Sequence, residues 1–348
     1  PTPEVRVLDT VVVGGGLAGA LAAHALAVHL GVRNVLVIDA QDGVAGHIQA
    51  TASAEFQEMP VDIGEHWFLP GSLLERLAKR LGCLLHEPPT ANEPPGVSDP
   101  EQRHFAAEGL GRLPQGSSSG DDAVARAARL LSDLAPLVGA TVSAMEGQSA
   151  MKCLVTGLRA EWPRGSVSMR RGVVESVSLN ETGGMAHVAF RGVGGKLIQV
   201  SAKSVLIAAP LGVLRESVGG DEGAETCRSP SCSADAGAGL INFSPALPAG
   251  PVSAWRAQAP EQVLRVALLF DDAFWGSSTS YLAYLFEASD ASSPGVAIFT
   301  NLLNVSRKPV LLAEVRGRPA ERLQDMPDAE VAAFLLQNCL RPLLPGVP

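Results

Sequence analysis

VLDTVVVGGGLAGALAAHALAVHLGVRNVLVIDA, residues 7–40, contains a complete strand, turn, helix and second strand. Val7 to Val13 is a short β-branched run. Gly14, Gly16 and Gly19 then follow in the spacing G-x-G-x-x-G, and an Ala/Leu-rich helical stretch that opens on Leu17 and Ala18 continues to about Leu30. The three glycines serve different ends. Gly14 permits a tight turn, Gly16 lets the backbone approach a pyrophosphate, and Gly19 lets the helix pack closely on the strand, with the helix N-terminus facing the phosphates. The second strand, Val35 to Ile38, ends at Asp39, twenty residues after Gly19, where a carboxylate meets the hydroxyls of an adenosine ribose. The unit predicts a dinucleotide site; the competing reading is a glycine-rich turn in an ordinary α/β domain.

Around this unit, 348 residues suffice for two domains, each with its own interior. A formal charge of −9 argues against nucleic acid as a partner, because phosphate binding needs clustered Lys and Arg; a cationic small substrate is compatible. The apolar run Val11 to Gly31 is broken by glycines and two histidines, so it reads as strand, turn and helix and not as a membrane span. Five cysteines, Cys83, Cys153, Cys227, Cys232 and Cys339, are scattered without a C-x-x-C pair and read as reduced structural thiols. The histidines form no metal-ligand spacing, and no G-x-S-x-G elbow is present, so metalloenzyme and hydrolase readings have little support.

Further motifs identify the dinucleotide. Asp39-Ala40 precedes Gly43-Val44-Ala45-Gly46-His47, and Val61-Asp62-Ile63-Gly64-Glu65-His66-Trp67-Phe68 follows. Later come Gly172-Val173-Val174-Glu175-Ser176-Val177, then Val205-Leu206-Ile207-Ala208-Ala209-Pro210-Leu211-Gly212-Val213-Leu214, Ile241 to Pro248, Val263 to Phe270 with Phe274-Trp275, and Pro309 to Ala313. These segments, in this order, resemble the flavin-containing amine oxidases, especially polyamine oxidases and the related histone lysine demethylases. The resemblance implies an α/β fold in which a Rossmann-like FAD-binding domain is interleaved with an α+β substrate domain. The expected division is 1–70 with 163–262 for FAD and 71–162 with 263–348 for substrate.

The chemistry so implied is oxidation of an amine, either a polyamine or an acetylated polyamine. Hydride passes from the carbon next to nitrogen to FAD, and O2 reoxidises the flavin to give aldehyde and H2O2. Two further readings are a histone lysine demethylase-like oxidase and a non-catalytic FAD-fold protein acting as a binding module. By the resemblance, Gly14, Gly16, Leu17, Ala18, Gly19, Asp39, Ala40, Gly46, His47, Gly64, Glu65, His66, Trp67, Val174 and Pro210 face the cofactor. His66 also lies by the substrate channel, where its imidazole could take up an ammonium proton. Arg265 stands where the family carries a lysine that holds a water near the flavin; an arginine stays protonated and brings a planar fork. The competing reading of Arg265 is a surface ion-pair partner. An intracellular setting, cytoplasm or peroxisome, is favoured.

Several departures bear on that expectation. Gly43 and His47 replace two arginines of the family, and each lost charge-assisted hydrogen bond costs roughly 1.5–3 kcal/mol. The family's glycine-rich second flavin loop is poorly matched near Met151 to Trp162. After Leu340 to Pro348 the family continues into G-S-Y-S-Y-like and G-E-x-T segments that these residues lack, so a C-terminally incomplete chain without the last FAD-binding segment is expected. Residues 88–120 and 219–239 read as mobile insertions, and Asp121 to Val138 as a substrate-domain helix.

Overall fold

The structure, a computed structural model, describes residues 7–42, 46, 51, 56, 61–64, 67–68, 71–83, 141–142, 149–180, 184–218, 240–258, 262–275, 281–286 and 295–344. The proposed insertions, the Asp121 to Val138 helix, His47, Glu65 and His66 lie outside these residues. By packing, the chain divides into Pro1–Gln49 with Lys152–Pro260, and Ala50–Met151 with Glu261–Pro348. The changeovers thus fall at 49, 151 and 260, where the sequence motifs suggest 70, 162 and 262.

In the first unit, β1 (Leu8–Val13), α1 (Leu17–His24) and β2 (Val35–Asp39) form the expected strand–helix–strand. A five-residue π-helical segment, Ala25–His29, extends α1. β1 and β2 are parallel, with Thr10 opposite Val35 and Val13 opposite Ile38. Their alternation buries both faces: Val11, Val13, Leu36 and Ile38 enter one core, Val12, Val35 and Val37 the other, where Ala23 of α1 joins them. Burial on both faces is what a near-continuous β-branched run requires and what parallel strands commonly show.

Helix α2 (Ala150–Ala160) occupies the region where the resemblance leads one to expect a glycine-rich flavin loop. Met151, Leu154, Val155 and Leu158, all buried, recur at i, i+3, i+4 and i+7, so these residues satisfy a helix and not a loop. Beyond it, β3 (Val167–Leu179), β4 (Ala186–Gly192) and β5 (Leu197–Ile207) build out the sheet, and β3 and β5 are long enough to serve a different ladder at each end. β3 runs parallel to β2 from Val167 to Arg171, then antiparallel to β4 from Gly172 onward. β5 is antiparallel to β4 up to Ala202, and parallel to β1 from Ala202 to Ile207. Gly172 marks the change in β3: a Cβ there would lie 2.5 Å from the ring of Phe190, which is fully buried. β6 (Asn242–Ser244) pairs with the end of β3. After β5, Pro210 leads into α3 (Leu211–Val218), so the strand turns at proline into a helix.

In the second unit, β7 (Val263–Leu269), β8 (Tyr281–Leu285), β9 (Val296–Asn301) and β10 (Val310–Arg316) form an antiparallel sheet in the order β8-β9-β10-β7. One face, with Phe299, Leu311, Ala313 and Val315, packs on α4 (Arg318–Leu323), α5 (Asp328–Leu335) and the turn that follows, through Leu323, Leu335 and Leu340. The other face, with Val310, Leu312 and Ala267, packs on Phe56, Val61 and Ile63. The helix Leu73–Arg80 is capped as its sequence allows: Ser72 Oγ accepts from Glu75 N–H, and Glu75 Oε2 accepts from Gly71 N–H. On its inner face Ala78 is buried and Leu74 and Leu77 are half-buried. Cys83 and Cys153 each take part in a disulfide, correcting the reading of reduced thiols for these two, while Cys339 is a free, buried thiol whose pKa burial pushes up to about 12.

Truncating Phe190 to Ala leaves a void where β3 and β4 meet and should cost about 3–5 kcal/mol, whereas Val193→Ala, at an exposed position, should stay within about 0.5 kcal/mol. Urea denaturation of the two variants side by side checks the contrast.

Candidate functional site

The glycine turn is held from both sides before any side chain is considered. Gly14 N–H donates to the Ile38 carbonyl (2.8 Å), and Val13 accepts from Ala208 N–H (2.7 Å). Gly14 has φ +102°, and a Cβ there would stand 2.5 Å from the Ala208 carbonyl oxygen. A Cβ on Gly19 would lie 1.8 Å from the Gly14 carbonyl oxygen, so the helix presses directly on the turn. Gly16 is the extended N-cap of α1 and, as a glycine, makes no side-chain cap bond. Gly46, with φ +85°, lies against it: a Cβ there would be 3.4 Å from Gly16 Cα. Leu17 is half-buried and Ala18 exposed on the first turn of α1. Bare glycine backbone beneath an open helix start is a cradle that fits a diphosphate.

Asp39 closes the unit as the motif requires. Its Oδ2 accepts from Gly15 N–H, and its Oδ1 accepts from Gln41 N–H at 2.8 Å. Ala40 beside it is exposed. The turn has a further partner that sequence reasoning missed: Arg159, in the last turn of α2, donates from Nη2 to the Gly15 carbonyl at 3.0 Å. Burial lowers the pKa of this half-buried guanidinium, and the nearby Asp39 charge partly opposes the shift. Two residues on, Glu161 Oε2 lies 2.7 Å from Nε2 of the buried His24 at the far end of α1. No local pattern marks Arg159; a basic residue in a last helical turn is common.

Val174 is buried in β3 opposite Phe190, next to a register shift, so what it offers a ligand is backbone. Pro210 is exposed at the start of α3, two residues beyond the Ala208 carbonyl that limits Gly14. Trp67 pairs through its backbone with Val142.

Arg265 belongs to the second unit. Strand alternation puts it on the same face as Ala267, the face that covers Val61 and Ile63. Its cross-strand partner is Glu314. Arg265 Nε donates to Glu314 Oε2 at 2.7 Å, and Nη1 donates to the Gly64 carbonyl at 3.1 Å. Arg316 Nε donates to the other carboxylate oxygen, Oε1, at 2.7 Å. Burial alone would raise the Glu314 pKa; the charges and hydrogen bonds of Arg265, then of Arg316, overcome it and hold the carboxyl below its ordinary value. The planar fork of Arg265 therefore ties the Asp62–Gly64 segment to the sheet, a geometry that a compact ammonium could not reproduce with both partners. A signal for Glu314 existed: LLAEVR places two charges within an apolar strand. Among the described residues, no group of three His, Cys, Asp or Glu gathers as a metal site. None of their helices is long and apolar enough to cross a membrane.

Comparison with known proteins gives two family matches: an NAD(P)-binding Rossmann-like domain over residues 12–81, and flavin containing amine oxidoreductase over residues 138–348. No curated protein matches the chain. Two solved structures from a redesign of cofactor binding in putrescine oxidase, a triple mutant and a single mutant, share the fold. Each is 16% identical with a TM-score of 0.54 and 97% of this chain covered, against 81% and 82% of the putrescine oxidase chains.

Gly19→Ala should abolish retention of the dinucleotide after desalting, since a methyl group cannot coexist with the Gly14 carbonyl; unchanged retention would refute the reading of this turn. Glu314→Gln leaves Arg265 and Arg316 without their shared carboxylate and should cost about 2–3 kcal/mol, less than the loss of a fully buried pair. Because the folded pKa of Glu314 is depressed, its stabilisation is present above the ordinary value of 4.5 and is lost as pH falls through the lower, folded value. The stability gap between wild type and variant, followed by denaturation across pH, should therefore close in acid.

Proposed function

Since the chain belongs to the flavin-containing amine oxidoreductase family, whose members use FAD to oxidise amines, we propose that this one takes a polyamine or an acetylated polyamine, with O2 as acceptor and aldehyde and H2O2 as products. The observation that carries the reading is the family match over residues 138–348. FAD, when bound, supplies the acceptor for the hydride that leaves the carbon next to nitrogen. The first unit is assigned the role of FAD-binding domain and the second that of substrate domain.

The chain's own residues then divide the work. Gly14, Gly16 and Gly19 let backbone come within reach of the diphosphate, and Asp39 addresses the ribose. Hydride loss needs the neutral amine, and His66 is placed in sequence beside the Asp62–Gly64 segment to accept the ammonium proton near neutral pH. Arg265, paired with Glu314 and bonded to the Gly64 carbonyl, keeps that segment in place. The net charge of −9 suits a cationic substrate in solution. The two structures of like fold are putrescine oxidases, and an aliphatic diamine belongs in the same substrate screen.

The purified chain loaded with FAD should release hydrogen peroxide with at least one of putrescine, spermine or acetylated spermine, read by a peroxidase-coupled assay. Bound flavin with no peroxide from any of the three, but turnover of a methylated lysine peptide, would replace the polyamine reading by the demethylase-like one.

A further inference from the structure

A diphosphate carries its charge into a turn made of glycine, which has dipoles to offer but no cation. Among the described residues, the cationic side chain hydrogen-bonded to the Gly14–Gly19 turn is Arg159, whose Nη2 stands 3.0 Å from the Gly15 carbonyl oxygen. The same short segment of chain also reaches the far end of α1, where Glu161 meets His24, 2.7 Å away. The end of α2 thus places one positive charge at the dinucleotide turn and a carboxylate at the opposite end of α1. We propose that Arg159 is a cofactor-binding residue, supplying the positive charge that the diphosphate of FAD meets at this turn; the assignment rests on the FAD-dependent reading above.

Three observations support this assignment. Arg159 is brought to the turn by a helix whose stripe of Met151, Leu154, Val155 and Leu158 is buried, so the guanidinium is held by packing and not by a loop. Asp39, the ribose carboxylate of the motif, uses its two oxygens on the backbone N–H groups of Gly15 and Gln41. Acid and guanidinium therefore both bear on Gly15, one at its N–H and one at its carbonyl, which fixes the peptide planes on either side of it. Half-burial also raises the local worth of the charge, because screening by water and salt is weaker there than at the surface. Charge-assisted hydrogen bonds to phosphate are the strong class, and arginine forms them in pairs.

The alternative is a brace: Arg159 would merely tie α2 to the turn. Ligands with and without phosphate separate the two. Affinities of the chain for FAD, ADP and adenosine are measured by titration calorimetry at low and high salt, together with the melting temperature of the unliganded protein. Arg159→Gln should weaken FAD and ADP roughly tenfold to a hundredfold, flatten the salt dependence of both, and leave adenosine within about twofold. Arg159→Lys should recover part of the ADP affinity, and Glu161→Gln should lower the melting temperature without changing the ratio of ADP to adenosine affinity. Equal losses for ADP and adenosine in Arg159→Gln, or no loss for either, would overturn the assignment while leaving FAD as the cofactor. A wild-type chain that binds neither FAD nor ADP would overturn both.

Discussion

The contact between the Gly14 carbonyl and the Cα of Gly19 governs the first unit. A Cβ on Gly19 would sit 1.8 Å from that oxygen, so nothing larger than glycine lets α1 start where it does, and Gly14 is confined in the same way by the Ala208 carbonyl. β1, β2 and β5 are drawn to this point: Ile38 accepts from Gly14, and Ala208 donates to Val13. The parallel core on both faces of β1 and β2 then provides the stiffness that keeps the turn in shape. Pre-formed backbone donors cost a ligand little reorganisation, which is why a diphosphate site is built from backbone and not from long side chains.

The second unit solves a different problem. Its antiparallel sheet packs two apolar faces, yet one of them carries Arg265 and Glu314. Burying charges is costly unless they are paired and hydrogen-bonded, and these are: Glu314 lies between two arginines, and Arg265 also bonds the Gly64 carbonyl. The network converts a sheet position into a tether for the segment that carries the Asp62–Gly64 motif. Arg265 is ion-paired, as its competing reading had it, but from a half-buried strand position and not from the surface.

Most of the architecture was legible in the chain of letters, because it rests on local rules. Glycine spacing, β-branched runs, the strand–proline–helix turn at Pro210 and the Ser72–Glu75 cap each act within a few residues, and the family motifs come in order along the sequence. The helix at Ala150–Ala160 was also written there, as the i, i+3, i+4, i+7 stripe beginning at Met151, in the stretch where the family's flavin loop is poorly matched.

What the letters withheld were the partners. Arg159 and Gly15 are separated by 144 positions, Arg265 and Gly64 by 201, and Arg265 and Glu314 by 49. Such pairs exist because strands adopt one register and helices one stripe, and a shift of a single residue in β10 would send Glu314 to the opposite face of the sheet. Backbone conformation and cofactor class follow from near neighbours along the chain, whereas the charges that serve the site are set by which distant elements the cores bring together.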